Sequence, residues 1–201
     1  YGGAVETRMA NDFDELLTWF DDDESAPRTI RDASFQPERF DTLRSRLSAA
    51  YKAINVLVLR EGSRDWFWND TIQNLDADEV SLDIHHIFPR DWCEKHGISR
   101  DRYDSVLNKT PLSYKANRKM GGDAPSRYLR RLQDEPQVKL SDTAMDVIIA
   151  SHALSPELLR QDAFDAFIED RRRRLSDLVE RAMGKPVIQI TDASIEEYVD
   201  Q

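Results

Sequence analysis

Asp83-Ile84-His85-His86-Ile87-Phe88-Pro89 opens the stretch that decides the fold, and Asn108-Lys109-Thr110-Pro111-Leu112-Ser113 followed by Asn117-Arg118 completes it. Apolar and polar residues alternate from Val80 to Phe88 before the chain meets Pro89, the pattern of a short strand entering a turn. Lys109 to Tyr114 reads as a second short strand, followed by a helix that starts near Lys115 and breaks at Gly121-Gly122. The connection from Arg90 to Ser105 is polar, with a short helix around Trp92 to His96 stopped by Gly97. The order is strand, loop, strand, helix.

Outward from this stretch the chain reads as helical on both sides. Residues 1–79 form a helical scaffold: Phe13, Leu16, Leu17 and Phe20 recur at helical spacing, and Asp21 to Glu24 reads as a solvated loop. Phe40, Leu43, Leu47, Ala50, Ile54 and Leu57 make one stripe on a helix from Pro37 to about Leu59, with Gly62 at its exit. Trp66-Phe67-Trp68 reads as a core anchor. Within residues 133–201, Ser141 and Ser155-Pro156-Glu157 are helix starts, and Asp162 to Met183 carries Phe164, Ile168, Leu175, Leu178 and Ala182 on one face. Arg171 to Arg174 lie three or four residues from Glu169, Asp170 and Asp177, so this run reads as an ion-paired helix face. Val187 to Ile190 reads as a terminal strand. The expected fold class is α+β, mostly helical, around a small ββα core at residues 80–132.

The 201 residues, 40 % apolar, suffice for one globular domain or two closely packed subdomains. The chain opens at Tyr1, which reads as a piece of a longer polypeptide with a further domain upstream. No run approaches the ~18 apolar residues of a membrane helix and no signal-peptide pattern is present, so a cytoplasmic protein without a membrane partner is expected. The lone Cys93 excludes an internal disulfide and a multi-cysteine zinc site, and reads as a small buried hydrophobe. With 28 basic against 38 acidic side chains the net charge is −10, which argues against strong unaided binding to phosphate. The exception is Lys115 to Arg131, where Lys115, Arg118, Lys119, Arg127, Arg130 and Arg131 face only Asp123. That stretch is the candidate nucleic-acid-binding surface.

Only four histidines occur, and two are adjacent at a strand end. His96 reads as a surface residue and His152 as a helix-end residue. Hydrolysis of a phosphodiester needs a base to deprotonate water and a cation to stabilise charge on the phosphate and the leaving oxygen. A neutral imidazole suits the first task. A divalent ion held by few protein ligands suits the second, because positions must stay open for water and phosphate.

The pattern resembles the HNH (His-Me finger, ββα-metal) nuclease family, in which a strand carrying Asp-His before x-x-Pro is followed by an Asn and then by an Asn-Arg pair. His-His-Ile-Phe-Pro, Asn-Lys-Thr-x-Leu-Ser, Asn-Arg-Lys-x-Gly and Pro-Ser-x-Tyr-Leu, in that order, are similar to the carboxy-terminal nuclease domain of GmrSD-like restriction proteins, including the phosphorothioate-sensing SspE type. The resemblance implies His86 as general base and His85 and Asn117 as metal ligands. It implies Asn108 as the residue that ties the loop, Arg118 as a phosphate contact and Asp83 as a support behind the ligands. Two departures stand out: the stretch from His86 to Asn108 is longer than in compact relatives, and His85 replaces the aspartate many of them carry.

The implied function is a metal-dependent DNA endonuclease, the effector of a bacterial anti-phage system, whose cofactor is Mg²⁺ with Mn²⁺ or Ni²⁺ accepted. The implied partners are DNA and an upstream domain that senses modified DNA and hydrolyses nucleotide. One such site cuts one strand, so duplex breaks call for a homodimer or successive nicks. Two rivals stay open: an RNA-directed nuclease or toxin on the same scaffold, and an inactive module that binds DNA or a protein. The roles of the two histidines can also be exchanged, with His85 as base and His86 on the metal.

Overall fold

The computed structural model describes residues 5–188. Before Pro37 they form one compact unit of two helices, α1 (Val5–Asp21) and α2 (Arg28–Arg31). There the Glu15 carboxylate accepts from the Arg28 backbone N–H at 2.6 Å. From Pro37 onward a second unit opens with α3 (Arg39–Thr42), α4 (Ala49–Arg60) and α5 (Ala77–Val80). It continues with β1 (Asp83–His86), α6 (Arg90–Lys95), α7 (Arg100–Tyr103), β2 (Lys109–Leu112) and α8 (Tyr114–Met120). It closes with α9 (Pro125–Asp134), α10 (Asp142–Ala150), α11 (Pro156–Arg160) and α12 (Phe164–Met183). The class is α+β, mostly helical. Among the described residues the sheet is the antiparallel pair β1–β2, with Asp83 opposite Leu112 and His86 opposite Lys109.

Local chemistry sets most element ends. Ser113, Ser141 and Ser155 accept hydrogen bonds from the N–H groups of Ala116, Ala144 and Leu158, capping α8, α10 and α11. Gly97 leaves α6 at φ +70°, and Gly121 ends α8 at φ +58° and ψ −144°, a region that side chains disfavour. The expected continuous helix from Pro37 to Leu59 is two helices instead. Leu43 turns extended and its carbonyl accepts from the Val106 N–H at 2.8 Å, and helix resumes at Ala49 behind the Ser48 cap. Leu47, expected on the buried stripe, is 87 % exposed.

The core of this unit centres on aromatic contacts: Trp66 stacks on Tyr128, and Phe88 packs against Phe164 and Phe167. Trp66 and Phe67 are buried as expected, whereas Trp68 is half-exposed beneath the Lys115 ammonium. Cys93 is buried, and burial pushes its thiol up to about 12, so it packs as a hydrophobe. His152 lies two residues beyond α10 and is fully buried. Its Nε2 donates to the Arg64 carbonyl at 2.7 Å, and the Thr110 hydroxyl lies 2.7 Å from Nδ1. Of the arginine run, Arg172 pairs with Asp41, and Arg173 and Arg174 pair with Asp170. Arg171 departs from the expected ion-paired face. It is buried and donates to the carbonyls of His152 and Ala153 in the loop after α10, so its guanidinium satisfies buried loop backbone. Val187 and Ile188 are irregular rather than strand, and the rest of that expected strand lies outside the described residues. No helix among the described residues is long and apolar enough to cross a membrane.

Candidate functional site

Asn108 holds the site together from beneath. It is fully buried, and its side chain closes a ring on the loop after β1: Oδ1 accepts from the Phe88 N–H at 2.8 Å, while Nδ2 donates to the carbonyls of Phe88 and Tyr103, both at 2.9 Å. Its backbone carbonyl also accepts from the Ile87 N–H at 2.9 Å. Tyr128 of α9 donates to the Ile87 carbonyl at 2.8 Å. The residues directly after His86 are therefore fixed by two elements distant in sequence.

Above this base is a cleft of about 270 Å³, lined by Arg46, His85, His86, Arg90, Asp91 and Asn117 among others. β1 supplies the histidines and α8 supplies Asn117, one turn after a start pinned by buried Asp65. The Asp65 carboxylate accepts from the Ser113 N–H at 2.7 Å and from the Ser113 hydroxyl at 3.0 Å. The Asn117 side-chain amide makes no hydrogen bond among the described residues. Gly122 closes the rim against α6, since a β-carbon there would stand 2.9 Å from Asp91 Oδ2.

The two imidazoles differ. His85 Nε2 is shielded from solvent and has no hydrogen-bond partner among the described residues, and such a buried orphan nitrogen is the donor a cation would satisfy. Burial holds its pKa below the usual value, opposed by nearby Asp83, so the His85 imidazole is neutral near pH 7. His86 Nε2 lies 3.2 Å from Asp104 Oδ1. Burial and the charge of Lys109 hold its pKa down against the pull of Asp104, which keeps it neutral and able to accept a proton. Asp83, expected behind the ligands, makes no hydrogen bond to His85 among the described residues. It accepts from Arg46 Nη1 at 2.5 Å and from the Ile84 N–H at 2.7 Å. Burial alone would raise the Asp83 carboxyl, but the bonds from Arg46 and Ile84 hold it below its usual value.

The structure thus brings together His85, His86 and Asn117 at one cleft, with Asn108 below them. Arg118 is exposed on α8 and is not among the residues lining the cleft. The basic stretch divides in two. Lys115 donates to Gln137, Lys119 pairs with Glu135, and Arg131 pairs with Asp123 while donating to the carbonyls of Lys119 and Met120. These three therefore make internal contacts, and Arg131 closes the carboxy-terminal end of α8. Arg118, Arg127 and Arg130 are exposed, with no ion pair among the described residues. Sequence reasoning missed Arg46, Asp65 and Asp104, which reach the site only through long-range contacts, and gave no role to Tyr128 of the Pro-Ser-x-Tyr-Leu motif.

No family model and no solved structure matches the chain. It is similar to an uncharacterized protein of Methanocaldococcus jannaschii, 24 % identical over 210 residues that cover 94 % of this chain and 34 % of the relative. The chain spans about a third of that relative's length.

Proposed function

We propose that this chain is an HNH-type, metal-dependent nuclease domain that hydrolyses DNA phosphodiesters. One observation carries the reading: an antiparallel strand pair and the helix after it bring an adjacent histidine pair and an asparagine to one cleft, and a buried asparagine pins the intervening loop. In this reading His85 Nε2 and the Asn117 amide oxygen would hold the ion, and so few protein ligands would leave room for water and phosphate. The ion supplies electrostatic stabilisation of the charge that builds on the phosphate and the leaving oxygen.

The chain's own residues perform the rest. Neutral His86 removes a proton from the attacking water, and Asn108 keeps the strand end from which His86 projects in place. Arg46 lines the cleft with its charge partly offset by Asp83, and Arg118, Arg127 and Arg130 offer phosphate contacts outside it. With a net charge of −10 the domain binds DNA weakly and in a salt-sensitive way. The likeness to GmrSD-like proteins supports a place as the cutting part of a longer bacterial restriction protein.

A plasmid-nicking assay on wild type and His86→Ala, with and without EDTA, tests the proposal. Nicking by wild type that EDTA abolishes, and a fall of at least about 10² in His86→Ala, is expected, because general-base catalysis supplies roughly 10² to 10⁴. Activity of His86→Ala within tenfold of wild type, or no cutting by wild type with any divalent ion, contradicts it.

A further inference from the structure

Three side chains bound the His86 ring. Asp104 Oδ1 lies 3.2 Å from Nε2, the same oxygen accepts from Lys109 Nζ at 2.6 Å, and the Tyr103 ring meets the imidazole edge-on at 6.0 Å between centroids. Asp104 arrives as the residue that caps α7, and Lys109 as the cross-strand neighbour of His86. The Lys109 side chain is only 7 % exposed, so its ammonium needs a counter-ion at close range, and Asp104 is that counter-ion. An ionised carboxylate accepts hydrogen bonds and cannot donate them. The imidazole nitrogen facing it must carry the proton. Nδ1 then has none, and it has no hydrogen-bond partner among the described residues.

We propose that Asp104 is a positioning residue for His86: it fixes the Nε2–H tautomer and leaves Nδ1 as the atom that takes the proton from the attacking water. The role rests on the nuclease reading above. In that step one O–H bond of the water breaks and its proton passes to Nδ1, while the water oxygen forms a bond to phosphorus. The bond from phosphorus to the 3′ oxygen breaks, and its electron pair stays on that oxygen. His86 ends the step as an imidazolium whose Nε2–H still faces Asp104, so the carboxylate also steadies the charge the ring has gained.

The test is Asp104→Asn, whose amide can present either an acceptor or a donor to Nε2. Turnover in plasmid nicking is expected to fall by at least about tenfold and by up to about 10⁴-fold, the range from partners of ligating histidines to the carboxylate that sets the tautomer of a histidine base. KM for DNA should stay within about twofold, since no contact to substrate is lost. Nitrogen-15 resonances of the His86 ring, recorded on metal-free protein at alkaline pH, should show Nε2–H in wild type and a shift toward Nδ1–H in the variant. Because Asp104→Asn also strands the Lys109 charge, the double variant Asp104→Asn with Lys109→Met should recover stability while keeping both the slow turnover and the altered tautomer. Turnover within twofold of wild type, or a wild-type ring already in the Nδ1–H form, overturns the proposal. If wild type cuts nothing and yet the tautomer switches with Asp104, the nuclease reading falls and the carboxylate's control of the ring stands. If wild type cuts and the tautomer ignores Asp104, only this inference falls.

Discussion

Asn108→Ala is the substitution whose cost can be worked most directly from the structure. It deletes three side-chain hydrogen bonds, to the N–H and carbonyl of Phe88 and the carbonyl of Tyr103, at a position with no solvent exposure. Each such bond contributes about 1 kcal/mol net, and each buried group left unpaired costs about 1–3 kcal/mol. Water entering the vacated space recovers part of this, so about 3 kcal/mol is expected. Urea unfolding is the assay: with a slope of about 1–3 kcal/mol per molar, the midpoint should fall by about 1 M or more at unchanged slope. Asn108→Asp, nearly the same shape, should cost at least as much near pH 7, because it turns a carboxylate oxygen toward two carbonyls. Nicking should decline for both variants even at temperatures where they remain folded, since the Phe88 backbone they release lies two residues after His86. A cost below about 1 kcal/mol for either variant would refute the view that this side chain clamps the loop.

Three further outcomes are expected. Imidazole favours Mn²⁺ and Ni²⁺ more than a carboxylate does, so His85→Asp should keep nicking while shifting preference toward Mg²⁺; a dead His85→Asp beside an active His86→Asp would show the roles exchanged. Arg127→Glu with Arg130→Glu should weaken DNA binding and flatten the plot of log affinity against log salt by up to about 2, more than Arg173→Glu with Arg174→Glu; equal effects would remove the patch beside the site as the DNA surface. Burial sets the His152 pKa at about 4 in the fold, against 6.5 when unfolded. The unfolded chain therefore binds the extra proton first, and stability falls as pH drops from 6.5 toward 4, by about 3 kcal/mol over the window. His85 and His86, also lowered by burial, add to the same slope. The difference in slope between wild type and His152→Gln isolates the share of His152, and identical slopes would contradict its buried neutral state.

What was legible in the sequence was local. Alternation before Pro89, the Ser113 cap and the Gly121 stop are decided by neighbours a few residues away, and β1, β2 and α8 fall close to where those signals put them. The helical period over Phe40 to Leu57 was equally local and misled, because the bond from Val106 to the Leu43 carbonyl crosses more than sixty residues of chain. The same limit hid Asp65 and Asp104 and the role of Tyr128, which are ordinary polar residues until the fold sets them against Ser113, His86 and the Ile87 carbonyl. Arg171 stood in a run of four similar residues, and nothing nearby distinguished the one that turns inward to loop carbonyls.

Strand geometry explains how two identical neighbouring side chains come to differ chemically. Successive residues of β1 project to opposite faces, and cross-strand partners share a face. His86 shares its face with Lys109, and there it meets Asp104. His85 shares its face with Thr110, whose hydroxyl bonds to His152, and His85 Nε2 has no partner among the described residues. One ring thus has a nitrogen held by a carboxylate, and the other has a buried nitrogen that lacks a partner. Exchanging the roles would require the ring held by Asp104 to bind the metal while the orphan nitrogen of His85 stays unsatisfied. In the proposed nuclease, this difference is the reason to give His86 the base role and His85 the ligand role.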